Sequence, residues 1–498
     1  MMTDQPALPA PPSAEPADRL LADLIALRAA VLAEAGERLA RLAPGGDAGA
    51  GIHNLANYLA LRGHDLRPLQ RRLMSRGLSS LGRLESRVLP TLDAVIEAAA
   101  ALAGAPSPTA APDPAAFFAG ETRLAAEADR LLGEAPGHRR TRIMVTLPSE
   151  AAGDPGLVID LARRGMDVAR INCAHDGSIA WRAMAAHVRT ASSLTGRRLT
   201  VLMDIAGPKI RTEAVATPDK KARIAAGDAI RFVAEGEPRP TADAPFSAVV
   251  SLPDLVTRLA VGDRVRYDDG KLEGVVESLA PGEAVVRVRR AKTGGVKLKS
   301  EKGLNLPDTA LGLSPLTAKD ENDLATVIEC ADMLGYSFVS RPEDLDLLED
   351  ALARRGATES RLGLVAKIER PEAVRNLPAL IARASGRRPF GVMIARGDLA
   401  AEIGFERLAE MQEEILWICE AAGVPAVWAT QVLEDLVKDG VPSRGEMTDA
   451  AMAARAECVM LNKGPEVGRA IELIDRLLSR MDGHVFKKTP TLRALASW

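Results

Sequence analysis

The sequence predicts an α/β protein: a (β/α)8 TIM barrel, with a β-rich domain inserted after its third strand and an α-helical domain in front. Three observations carry this. From Thr141 onward, short apolar runs alternate with amphipathic helical stretches, the rhythm of a parallel sheet. Eight such units can be counted before the 498-residue chain ends. The rhythm breaks once, over 213–306, where short alternating runs such as DRVRYDD and GEAVVRVRRA read as a small β domain. The expected boundaries are a disordered tail at 1–17, a helical domain at 18–103, a linker and helix at 104–138, the barrel at 139–212 and 307–498, and the β insert between its two parts.

The chain opens MMTDQPALPAPPSAEPADR, which is Pro/Ala-rich and lacks the apolar core of a signal peptide. Leu20, Leu24, Leu27, Val31 and Leu32 then recur at helical spacing. Further helices follow, broken near 63–65, 77–80 and Pro90, and GAPSPTAAPDPA is a linker by composition. The arginine-rich piece 62–87 suits either a phosphate-gripping surface or the solvated face of a bundle, and the second is expected. His53 and His64 have no thiol or carboxylate spaced to join them as ligands, so surface or capping roles are expected.

In the barrel, RIMVTL is the first strand. MDVARINCAHDG is the second, ending in Arg170 and Asn172. RLTVLMDIAGPKIRT is the third, ending in Asp204 and followed by Gly207, Pro208, Lys209 and Arg211. Asp268-Asp269-Gly270 marks a hairpin in the insert, which closes with LKSEKGLNLPD. CADMLGYSFVSRPEDL gives strand four, LGLVAKIE and GVMIARGD strands five and six, VPAVWATQVLED strand seven, and AECVMLNKGPEV strand eight.

Bulk composition narrows the function classes. Net charge is −3, the pI is near 6.2 and aromatics are 3%, so nothing points to nucleic acid or a membrane surface. The four cysteines form no CxxC pair and read as reduced thiols, so a cytoplasmic location is expected. No apolar run is long enough to span a bilayer.

Strands five and six carry the chemistry. Lys367 and Glu369 close one, and Arg396 and Asp398 close the other. Ionisable residues ending an apolar strand are costly as core, because buried charge must be paired. They are expected at the C-terminal mouth of a parallel barrel. Glu369 and Asp398 are hard oxygen ligands suited to Mg²⁺, and Lys367 shares a strand face with Glu369. A buried ion-pair cluster would satisfy the same residues.

The wording of these strands resembles the pyruvate kinase family. The resemblance runs from about Arg140 to Leu478, through MDVARINCAHDG, MDIAGPKIRTE, YDDG, SEKGLNLP, LTAKDENDL, SFVSRPEDL, VAKIE, MIARGDLAAEIG, AGVPAVWATQVLE and VPSRGEMTDAA in order. It implies a barrel whose β insert is a lid, and phosphoryl transfer between phosphoenolpyruvate and ADP, giving pyruvate and ATP, with Mg²⁺ or Mn²⁺ on Glu369 and Asp398. It further implies that Lys367 stabilises the phosphoryl group and enolate, that Arg170 binds the transferring phosphate, and that Thr430 delivers the proton. Arg211 and Lys302 would meet the nucleotide, and the backbone of Arg396, Gly397 and Asp398 would cradle the substrate carboxylate. A homo-oligomer is also implied.

The sequence departs from that family at its potassium site. Asn172 and Asp204 remain, but a Ser is replaced by Ala174, a Thr by Ile205, and a Glu by Lys209. The expectation is that the Lys209 ammonium takes the cation's place and that potassium is not required. The loops after strands one and eight differ too, at Leu147-Pro148-Ser149 and at 462–466, and control through the family's C-terminal regulatory domain is not expected. Two other readings use the same residues: a metal-dependent lyase acting on a 2-oxo acid enolate, or a weakly active relative whose helical domain binds a partner. The lid favours the kinase over the lyase, since a lid chiefly closes over a nucleotide. Keeping Lys367, Glu369, Asp398 and Thr430 together favours it over the inactive relative.

Overall fold

The computed structural model describes residues 17–491, except 47, 310–311 and 358–361. The expected disordered tail therefore lies outside the described residues, save Ala17.

The barrel strands are β1 (Arg142–Thr146), β2 (Val168–Asn172) and β3 (Thr200–Asp204). The insert follows with β4 (Thr212–Ala216), β5 (Ala229–Val233), β6 (Phe246–Val250), β7 (Arg264–Tyr267), β8 (Leu272–Ala280), β9 (Glu283–Ala291) and β10 (Leu304–Asn305). The barrel resumes with β11 (Met333–Tyr336), β12 (Gly363–Ile368), β13 (Phe390–Ala395), β14 (Ala426–Ala429) and β15 (Cys458–Leu461). All eight barrel strands are parallel, and β1 pairs with β15 to close the cylinder. The insert is one seven-stranded sheet, ordered β10-β7-β8-β9-β5-β6-β4, around its own apolar core. Its first and last strands lie next to the hinge, where Arg211 bridges Gly303.

Five helices precede the barrel: α1 (Ala17–Leu42), α2 (Ala50–Leu61), α3 (Arg67–Met74), α4 (Val88–Ala103) and α5 (Pro114–Leu132). The later ones are α6 (Pro155–Arg164), α7 (Ser178–Thr195), α8 (Asp254–Arg258, in the insert), α9 (Ala318–Cys330), α10 (Pro342–Ala353), α11 (Pro371–Ala384), α12 (Arg396–Ile403), α13 (Phe405–Ala422), α14 (Glu434–Asp439), α15 (Arg444–Met452) and α16 (Val467–Met481). No helix among the described residues is long and apolar enough to cross a membrane.

The stretch expected to be a linker and helix does structural work. Asp113 caps α5 by accepting from the amides of Ala115 and Ala116. At the other end of α5, Leu131 and Leu132 join Met144, Val168, Leu202, Met333, Val365 and Met393 in the barrel's inner core. A Cβ on Gly363 would stand 2.6 Å from Leu131, and one on Gly391 2.5 Å, so both strands need glycine where the helix end approaches. Leu131→Ala is expected to lower stability by about 3 kcal/mol, because the surrounding closed barrel relaxes little into the vacated space. Urea melts of the two proteins check this.

The helical domain sits on the outer face of α13. Asn54 donates to the carbonyls of Ala421 (2.8 Å) and Glu85 (2.7 Å) and accepts from the amide of Val88. A Cβ on Gly51 would meet the Ala422 carbonyl oxygen at 2.1 Å. Of the arginines of 62–87, Arg62, Arg67 and Arg83 are exposed, as expected of a solvated face, while Arg71, Arg72, Arg76 and Arg87 are half-buried. Arg62 lies 4.9 Å from the Trp417 ring, Arg72 pairs with Asp23, and Arg87 pairs with Glu121. His64 makes a surface contact with Glu34, as the sequence suggested, and His53 is exposed.

Glu420 of α13 is buried at this junction, among Glu85, Glu457, Lys487 and Lys488. Lys487 pairs with Glu457 and Lys488 with Glu85. Burial pushes the Glu420 carboxyl up to about 7 from an ordinary value near 4.5. Between those values the folded chain holds a proton that the unfolded chain has lost, so stability falls as pH rises from 4.5 to 7. Glu420→Gln is expected to add about 3 kcal/mol at pH 8 and almost nothing at pH 4, measured by denaturant melts at both pH values.

Candidate active site

The site lies at the C-terminal ends of the barrel strands, next to the β insert. Parallel pairing sets neighbouring strand ends level, so Asn172 of β2 registers with Asp204 of β3. Lys367 lies on β12, and Glu369 follows one residue after the strand ends. Because β13 runs straight into α12, Arg396, Gly397 and Asp398 form the first turn of that helix.

Lys367 is at the centre. Its ammonium donates to Ser337 Oγ at 2.7 Å and pairs with Glu369 at 2.9 Å and Asp204 at 3.2 Å. Burial opposes its charge, but Asp204 and Glu369 outweigh that and hold it up to about 12. Arg170 places Nε 2.8 Å and Nη2 2.5 Å from one oxygen of Asp204, and Nη1 3.0 Å from Thr146 Oγ1. Burial raises the Asp204 carboxyl, yet Lys367 and Arg170 more than reverse it, so Asp204 is held below the ordinary range. Glu369 accepts from the Phe338 amide at 2.6 Å. Its carboxyl is raised, chiefly by burial and further by the negative charge of Asp398.

Asp398 pairs with Lys209 at 2.8 Å. Burial raises it, but Lys209 overcomes this and the net direction is down. Here one expectation is corrected. Lys209 was to stand in for potassium beside Asn172 and Asp204, but no ion pair joins it to Asp204. Its ammonium pairs with Asp398 instead. Asn172 spends its side-chain oxygen on the amide of Ala174, at 3.1 Å.

Thr430 ends the seventh barrel strand in a strained loop: Thr430, Gln431 and Leu433 have φ of 74°, 58° and 51°. Arg396 holds that loop. It donates to the carbonyls of Ala429 (2.8 Å) and Thr430 (2.6 Å), pairs with Asp449, and lies 4.6 Å from the Trp428 ring. Its side chain is thus committed to the loop, leaving its backbone to face the site. Gly397 is required sterically, since a Cβ there would meet Thr430 Cγ2 at 2.7 Å. Arg211 and Lys302 lie apart from the cluster, in the hinge. Arg211 donates to the Glu301 carbonyl at 3.0 Å, and Lys302 pairs with Asp268 at 3.0 Å.

Asp204 and Ser337 were not among the residues expected to act in catalysis. Ser337 Oγ accepts a hydrogen bond from the Lys367 ammonium and donates its own to the Ile205 carbonyl at 2.7 Å, so it fixes the ammonium's position. The sequence signal was faint, a serine one residue past the end of an apolar strand.

The cluster holds three cations (Lys367, Arg170, Lys209) against three carboxylates (Asp204, Glu369, Asp398). Such balance would not attract a multiply charged anion unless a divalent cation were added. Among the described residues no group of three or more His, Cys, Asp or Glu is placed to cage a metal. Two carboxylates, each from a neighbouring strand end, fit Mg²⁺, which keeps open positions for water and substrate oxygens.

A closed parallel barrel with this charge-balanced mouth and an inserted β domain is an enzyme of the α/β-barrel class. Residues 138–469 match the family model described as pyruvate kinase, barrel domain. The pyruvate kinase of Methylorubrum extorquens is 32% identical over 358 residues, covering 69% of each chain. That of Mycobacterium tuberculosis is 33% identical over 346 residues, again 69% of each. A solved pyruvate kinase from Cryptosporidium parvum superposes with a TM-score of 0.60 at 25% identity, covering 72% of this chain and 73% of that one. The chain belongs to the pyruvate kinase family. The helices α1–α5 fall before the matched residues.

Proposed function

We propose that the chain moves the phosphoryl group of phosphoenolpyruvate to ADP, giving pyruvate and ATP. The observation that carries this is the Lys367 ammonium, buried between Asp204 and Glu369 at the barrel mouth. A fixed cation in a water-poor cleft stabilises charge that builds on a phosphoryl oxygen and on an enolate. Arg170 offers a planar fork to the phosphate, suited to two-oxygen contact. The first amides of α12, at Gly397 and Asp398, face the substrate carboxylate. Thr430, next to them, hands the enolate carbon its proton through water. Arg211 and Lys302 reach the nucleotide when the lid shuts. Glu369 and Asp398 would hold Mg²⁺ or Mn²⁺, which when bound neutralises carboxylate and phosphate oxygens. Turnover in a lactate dehydrogenase-coupled assay with phosphoenolpyruvate, ADP and Mg²⁺ is expected. A chain that binds both substrates and yields no pyruvate would overturn the reading.

The proposal includes activity without added potassium. Ala174 and Ile205 bring no side-chain oxygen, Asn172 is occupied by a backbone amide, and Asp204 is already covered by Lys367 and Arg170. Rates in tetramethylammonium buffer are expected to equal those in potassium, and a strict potassium requirement would sink this part. The same reading places the chain in the cytoplasm as a homo-oligomer. Sedimentation velocity tests the second point, and a monomer at working concentration would remove it.

A further inference from the structure

Strands β7 and β10 are neighbours in the insert, and Arg266 of β7 stands directly opposite Asn305 of β10. On its other side Arg266 stands opposite Glu273 of β8, and Glu273 stands opposite Arg290 of β9. These four residues form one polar row across the sheet. Side chains alternate along a strand, so the row lies on the face away from the insert's core, which takes Val265, Tyr267, Leu272, Leu304 and Leu306 instead.

That face meets α12. Arg266 is buried, and it donates from Nη1 to the Ala401 carbonyl at 2.6 Å and from Nε to Glu273 at 2.6 Å. Asn305 donates to Glu402 at 3.1 Å. Two residues in register on the insert thus hold two consecutive residues of one short helix. A cleft of about 320 Å³ lies beside them, with Asp269 and Arg290 of the insert on one side and Phe405 and Arg407 of α13 on the other. Arg266 and Ala401 both line this cleft, and their hydrogen bond spans it.

The grip falls at the far end of the helix that carries Asp398. Ala401 and Glu402 follow Asp398 by three and four residues, the spacing of one helix face. The last four carbonyls of a helix have no partner inside it, and a guanidinium placed there satisfies one and suits the helix dipole. The buried guanidinium would in turn be costly without its partners. At eight residues α12 is about 12 Å long, so its two turns move as one piece.

We propose that Arg266 is a positioning residue for Asp398. By tying the insert to the carboxyl end of α12, it sets where the carboxylate at the amino end stands. It touches neither the divalent ion nor the substrates, and it acts only through the helix. This rests on the reading of Asp398 as a ligand of the divalent ion.

The test is Mn²⁺ binding to the whole chain, read by the electron spin resonance of the free ion. Arg266→Met, its fold checked by a thermal melt, is expected to weaken binding about tenfold, the low end of what groups behind a metal ligand contribute. Arg264→Ala breaks the pair with Asp308 on the same face of β7 without touching α12, and is expected to bind as the wild type does. In an Asp398→Asn chain, adding Arg266→Met is expected to cost nothing more, because residues that act through one another are not additive. Coupling is reciprocal, so in the unaltered chain Mn²⁺ is expected to slow amide exchange in β7 as well as in α12. Equal Mn²⁺ affinity in Asp398→Asn would remove the reading beneath the proposal. Lost affinity there beside wild-type affinity in Arg266→Met would overturn the proposal alone. So would an equal loss in Arg264→Ala, a full tenfold loss in the Asp398→Asn background, or exchange protection confined to α12.

Discussion

Replacing Lys367 with methionine is expected to cut kcat by about 10³-fold, with a smaller change in KM. The magnitude follows from removing one preorganised cation from where charge builds in the transition state. Methionine keeps the length and the apolar stem, so packing against β11 and β13 survives. What it removes is the charge shared by Asp204, Glu369 and Ser337. Arg170 continues to neutralise Asp204, but Glu369 loses the ammonium it pairs with. Its carboxyl, already raised chiefly by burial, is expected to rise further and take up a proton. Divalent-ion binding in this variant should therefore weaken with falling pH more steeply than in the wild type. A coupled assay beside a thermal melt separates lost chemistry from lost fold. Wild-type kcat in a folded Lys367→Met chain would contradict the assigned role.

The second large effect is expected at Asp398. Asp398→Asn keeps an oxygen for the Lys209 ammonium, so that pairing persists as a hydrogen bond and the chain stays folded. It removes one of two charges offered to the divalent ion. Mn²⁺ binding, read by the electron spin resonance of the free ion, is expected to weaken at least about 100-fold. Activity should fall with it and recover partly at high Mn²⁺. Equal Mn²⁺ affinity in the two proteins would show that the ion does not use Asp398. The measurement needs no turnover, so it stands whichever reaction the site performs.

Much of this site is legible along the chain because strand ends are local objects. AKIE and ARGD each place charge at the last residues of an apolar run, and a parallel barrel puts all such ends at one mouth. Thr430 was legible for the same reason, as the end of VPAVWAT. The strain at Thr430 and Gln431 was not, because it depends on Arg396 reaching across to the Ala429 and Thr430 carbonyls. The direction of Lys209 was also hidden. Its neighbours in sequence suggested Asp204, but Asp398, 189 residues further on, is the carboxylate within reach. The role of α5 was invisible too, because its meeting with Gly363 and Gly391 follows from how the chain wraps under the cylinder.

By itself, then, the order of residues determined the repeating strand–helix rhythm, the place of the β insert, and which ionisable groups end which strand, since each depends on spacing within a few turns of chain. Only the tertiary structure decided which cation answers which carboxylate. Ammonium and guanidinium groups on long stems choose partners by distance through space, and burial makes an unpaired choice too costly to persist.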